Sequence, residues 1–219
     1  MNQNPLDQTL DNIAVLISIR YSPHPKPLSQ DGRGAWGEGE SGNCYILQRY
    51  SLSFSLKVFS EESATEDDLM RVFGLTQLIK AENKQYWGRE LGMCWQRVVT
   101  EVCRENCEDF RAAIRQGKDE LCDLIIGLDA IDTKYRIGSG DAGTLKKFRE
   151  YAGKLQGLGL TPILLILRTD NLPQAINACR MGGWTVMQGS DAYEYIRNKT
   201  GFDLESWLQD RRNRYSIES

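Results

Sequence analysis

The stretch Asp123-Leu-Ile-Ile-Gly-Leu-Asp-Ala-Ile-Asp132-Thr-Lys134 places Asp123, Asp132 and Lys134 within what reads as two short apolar strands. Burying charge is costly unless something compensates it. Gly127-Leu128 has glycine first, as a two-residue type II′ hairpin turn requires. That turn sets 126 opposite 129 and Asp123 opposite Asp132. Residues two apart on a strand share a face, so Lys134 joins Asp132. Like charges directly across a ladder repel each other, which raises one carboxyl's pKa. A bound cation together with the lysine would relieve this. A three-residue turn would instead send the aspartates to opposite faces.

Working upstream, Lys84 to about Asn106 predicts a long helix with Leu91, Cys94, Trp95, Val98 and Val102 at helical spacing. Glu66 to Lys80 predicts another. Residues 44–59 alternate as a strand does, and 10–20 contain an apolar run that fits a short strand or helix. Between them, 21–43 is rich in proline and glycine and predicts loop or disorder, an insertion in an N-terminal segment spanning 1–83. Downstream, a helix over 144–156 leads to a buried strand at 161–167. Helices near 172–181, 191–199 and 203–211 follow, with a short strand at 184–188 and a polar tail at 212–219. The strand–helix–strand passage at 130–167 implies a parallel pair, while the hairpin adds an antiparallel partner. The fold class is therefore α/β, a mixed central sheet flanked by helices, over 84–211.

The 219 residues carry a net charge of −3. A global basic footprint for nucleic acid is missing, so any such affinity must be local. Arg136, Lys146, Lys147 and Arg149 supply a local cluster suited to phosphate contacts. Arg168 is placed to reach base edges, since arginine suits guanine. The lone histidine, His24, argues against histidine zinc sites and Ser-His-Asp triads. Six cysteines without a CxxC pair read as small core residues in a reducing cytoplasm. No apolar run is long enough to span a membrane.

Hard carboxylate oxygens suit Mg²⁺. Asp123 and Asp132 are the candidate ligands, with Glu90 on the long helix as a third and Glu101 as its competitor. Lys134 would orient or deprotonate the attacking water, or hold a phosphate in the transition state. The carboxylate-x-lysine pattern alone carries little, because Glu82-Asn-Lys84 fits it too. Its placement in the hairpin is what counts.

D-(x)8-D-x-K, after a helix carrying a glutamate and before a helix–strand unit, resembles the PD-(D/E)xK nuclease superfamily. Cys122 stands where that motif has proline. More narrowly, YWGRELG (86–92), DTKYRIGSGDAGTLKKF (132–148) and ILRTDNLPQAINACRMGGWTV (166–186) look like type II restriction endonucleases of the ApaLI kind. The resemblance covers about 84–208. It implies a restriction-endonuclease-like core, with Asp123, Asp132 and Lys134 at the motif positions. It also implies Mg²⁺-dependent cleavage of double-stranded DNA at a short palindrome by a homodimer. That superfamily core has one more strand between the helix and Asp123, and 107–118 does not read clearly as one. Two alternatives stand beside this reading. Gly138-Ser-Gly140-Asp-Ala-Gly143 fits the GxGxxG loop of an NAD(P)-binding oxidoreductase, although Asp141 would set a negative charge against the phosphate. A catalytically inactive DNA-binding remnant is the other.

Overall fold

The computed structural model describes residues 6–7, 61–117, 119–140 and 142–216. The elements expected at 10–20 and 44–59 and the insertion at 21–43 lie outside them. In place of one helix over 66–80 there are two short ones, α1 (Asp68–Val72) and α2 (Gln77–Glu82). The break has a local cause. Gly74 sits at φ +60°, in the left-handed region that glycine tolerates. Thr76 then starts a new helix by accepting the Ile79 N–H. Asn83 likewise caps α3 (Lys84–Asn106) through the Tyr86 N–H. Trp87, Leu91, Cys94, Trp95, Val98 and Val102 form its buried stripe.

The chain then makes β1 (Phe110–Ala112), a small arm of β2 (Arg115–Gln116) and β3 (Asp119–Glu120), and the hairpin β4 (Leu124–Ile126) and β5 (Asp129–Lys134). Then come α4 (Ala142–Gly157), β6 (Thr161–Ile166), α5 (Pro173–Met181), β7 (Thr185–Gln188), α6 (Ser190–Thr200) and α7 (Leu204–Gln209). The main sheet runs β1-β4-β5-β6-β7. Its first three strands are antiparallel neighbours, and β5, β6 and β7 are parallel. The sheet's two faces build two cores. Ile125, Ala130, Leu164 and Ile166 pack with α4 and α5 residues such as Phe148, Ala152 and Cys179. Leu124, Ile131, Ile163 and Leu165 pack with α1, α3, α6 and α7.

The hairpin has the expected register over three pairs, Ile126 with Asp129, Ile125 with Ala130 and Leu124 with Ile131, but it does not extend to the expected pairing of Asp123 with Asp132. Gly127 carries φ +56°, whereas Leu128 has no positive φ, as a type II′ turn demands. A Cβ at Gly127 would lie 2.9 Å from Asp109 Oδ2. Gly127→Ala is expected to cost about 1–2 kcal/mol from the left-handed backbone alone, read as a lower urea midpoint with an unchanged m value.

Candidate functional site

The β4–β5 ladder ends just before Asp123. The Asp123 N–H bonds Ile131 O at 2.8 Å, so the chain bends there and does not extend the strand. Its carboxylate takes over as acceptor. Asp123 Oδ2 accepts the Thr133 backbone N–H at 2.7 Å and the Thr133 hydroxyl at 2.6 Å. Oδ1 accepts Gln96 Nε2 from α3 at 2.8 Å. Burial and then the negative charge of Asp132 push the Asp123 carboxyl up to about 6.

Asp132 and Lys134 share the sheet face of Ala130. Lys134 Nζ donates to both Asp132 oxygens, at 2.8 and 2.7 Å, and to Thr133 O at 3.0 Å. It also lies 5.6 Å from the centre of the Phe148 ring on α4. Burial alone would lower the Lys134 ammonium, but the charges of Asp132 and Asp123 outweigh it and hold it above its usual value. The side chain as a whole is 37% exposed.

The charges of Asp123, Asp132 and Lys134 act on one another, but the expected same-face pairing of the two aspartates is not formed. Asp123 bonds Thr133 and Gln96 on the α3 side, whereas Asp132 and Lys134 face α4, because the chain bends at Asp123 instead of extending the ladder. Neither Thr133 nor Gln96 was singled out by sequence pattern. Thr133 is the middle residue of the DxK unit, and its hydroxyl points opposite to its neighbours. Gln96 and Thr100 continue a half-buried polar stripe along α3, which was the available signal.

Glu90 is not drawn into this group. It is buried and accepts Arg89 Nε and Nη2 at 3.3 and 3.1 Å. Among the described residues, no three His, Cys, Asp or Glu side chains gather as a metal-holding set, so Glu90, Asp123 and Asp132 are not assembled as the expected trio. Glu101 instead lines a groove of about 580 Å³ that also contains Asp123.

Arg168 departs most from expectation. Far from meeting base edges, it is only 4% exposed. Its Nε and Nη2 grip Asp170 at 2.8 and 3.0 Å, and Nη1 meets Asp67 Oδ2 at 2.9 Å. A buried arginine with a forked partner is a structural tie. Arg136 is similarly occupied: its Nε donates to Asp170 O at 3.1 Å, and its guanidinium lies over Gly138. Lys146, Lys147 and Arg149 are exposed on α4, with Lys147 3.6 Å from Asp119 of the arm.

The glycine loop has a packing explanation. A Cβ at Gly140 would meet Leu172, Leu145 and Ala175 at 3.3–3.7 Å. The strand order moves one way from β5 to β7, and α4 and α5 cover the same face. There is thus no reversal of strand order at β5, where a dinucleotide crevice would form. The buried cysteines fit the core role read from sequence: burial pushes the Cys94 and Cys103 thiols up to about 12. No helix among the described residues is long and apolar enough to cross a membrane. Comparison of the chain with family models, curated proteins and solved structures finds no match.

Proposed function

We propose that this protein is a Mg²⁺-dependent endodeoxyribonuclease that hydrolyses phosphodiester bonds in double-stranded DNA, a type II restriction enzyme acting as a homodimer at a short palindrome. The observation that carries the reading is the hairpin register. It ends at Leu124 and Ile131, brings the Asp123 carboxylate to Thr133, and keeps Asp132 and Lys134 together on one face. Support also comes from β1, which supplies a strand between the long helix and Asp123, where the resemblance calls for one.

The donor set suits Mg²⁺ better than a metal needing many protein ligands. Mg²⁺ binds through one or two carboxylates and keeps several waters. An ionised carboxylate has about four lone-pair sites, and Asp123 already accepts three bonds. It therefore offers a single further site, and Asp132 would supply the second ligand. When bound, the ion would supply neutralisation of charge at the scissile phosphate. Thr133 and Gln96 fix the direction of the Asp123 carboxylate. Lys134, held as a cation by its neighbours, acts as a fixed positive charge at the phosphate or the attacking water and not as a base.

Incubation of the purified protein with plasmid DNA and Mg²⁺ tests this. Nicking or cutting is expected, with Asp132→Ala abolishing it and Lys134→Ala lowering its rate by about a hundredfold or more, as loss of a preorganised charge does. Intact protein that leaves DNA uncut with Mg²⁺ or Mn²⁺ sinks the reading. Salt-sensitive binding without any cutting would instead identify an inactive DNA-binding relative.

A further inference from the structure

The expected DNA contacts on α4 lie on one side of the sheet, whereas Asp123 opens onto the other. The groove at Asp123 runs between α3 and the β2–β3 arm, and Arg97, Arg104 and Arg115 stand along it. Resting on the nuclease reading above, we infer that this groove seats the backbone of the strand to be cut, with these three arginines as its phosphate contacts.

Spacing favours a polymeric anion. Arg97 and Arg104 are seven residues apart on one helix, which is about 10 Å along its axis. One DNA strand advances about 3.4 Å per nucleotide, so two arginines two turns apart span about three phosphates. Arg115 faces them from the arm, giving the groove cationic groups on both walls. Arg97 is exposed on the same helix as Gln96, which itself bonds Asp123.

The groove also holds carboxylates. Arg104 pairs with Glu101 at 2.5 Å and Arg115 with Glu120 at 3.0 Å. Both arginines are more than half exposed, at 52% and 76%. Exposed pairs of this kind contribute at most about 1 kcal/mol, so handing either arginine to a phosphate costs little. The resting pairs keep the groove near neutral, in keeping with a chain whose overall charge is −3. Of the cations first expected at DNA, Arg136 and Arg168 are already committed to Asp170.

The test is fluorescence anisotropy with a labelled mixed-sequence duplex, using Ca²⁺ in place of Mg²⁺, over a salt series. The double variant Arg97→Ala, Arg115→Ala is expected to bind about tenfold or more weakly, and its log–log salt slope to fall by about two, one per lost contact. Arg180→Ala, an exposed arginine at the end of α5, controls for lost charge and should bind as wild type. Equal binding by the groove variant and the wild type overturns the inference, as does a loss that follows Lys146→Ala and Lys147→Ala instead. Failure of the nuclease reading looks different: the wild type itself then leaves DNA uncut with Mg²⁺ or Mn²⁺, whether or not it binds.

Discussion

Arg168→Ala is expected to destabilise the fold by about 3–5 kcal/mol, the usual cost of removing one partner from a buried ion pair. The guanidinium is buried at the carboxyl ends of β5 and β6. Besides Asp67 and Asp170 it donates to Thr65 O at 3.3 Å and Ser63 O at 3.2 Å. The Tyr135 hydroxyl donates to Asp67, and Lys80 Nζ donates to Tyr135 at 2.7 Å and pairs with Glu62. Burial opposes the Asp170 charge, yet bonds from Arg168 and the Ser63 N–H outweigh it and hold the carboxyl below its usual value. Alanine would leave Asp67 without its cation and Asp170 with Arg136 alone, in a partly buried site. Lysine cannot replace the fork, so Arg168→Lys should recover only part of the loss. Urea unfolding at neutral pH reads both variants. A wild-type midpoint for Arg168→Ala would mean that the side chain is free for other work, including the base contact suggested by its place in the sequence.

That contrast shows which features a sequence exposes. The β4–β5 register was legible because it depends on neighbours: a glycine where a II′ turn needs it, between two short apolar strands. The limits of α3 were legible for the same reason, with Asn83 as a local cap and a repeating apolar stripe. β1 was not, because only three residues pair and two of them are exposed, leaving no alternation to read. Its status as a strand comes from the edge of β4. The split between α1 and α2 turned on a single glycine within a pattern otherwise helical throughout. At the site, Asp132 and Lys134 were legible as strand neighbours. Gln96 was not, since its partner lies 27 residues away. Arg168 was misread because Asp67 lies 101 residues away. An arginine in a Thr-Asp-Asn loop looks the same in sequence whether it faces solvent or a buried carboxylate.

Asp123→Asn is expected to stabilise the metal-free protein at neutral pH while removing the function proposed for the site. The carboxyl titrates near 6 in the folded state, against 3.8 for the free group. The cause is burial first and Asp132 second. A raised acid pKa means that the folded state holds its proton more tightly than the unfolded state does. At pH 3 both states are protonated and the residue is neutral in its effect. Between about pH 4 and 6 the unfolded chain ionises first, so stability falls as pH rises. Above about 6 the cost is constant. A shift of about two units corresponds to about 3 kcal/mol at 1.36 kcal/mol per unit, an upper figure for a group partly reached by solvent. Asparagine keeps the shape and an oxygen to accept from Thr133, and rotation of the Gln96 amide would restore the second contact. Urea midpoints measured from pH 3.5 to 7.5 should therefore fall for the wild type and stay flatter for Asp123→Asn, with the curves closest at the acid end. Mg²⁺ supplies a second readout. A cation held by Asp123 and Asp132 binds only the folded protein, so it should raise the wild-type midpoint at pH 7.5. It should leave Asp123→Asn nearly unchanged. Parallel pH curves for the two proteins would show that Asp123 carries no strained charge. A pH difference without a Mg²⁺ response would leave the carboxylate as a structural acceptor for Thr133, a role in which its charge only costs stability.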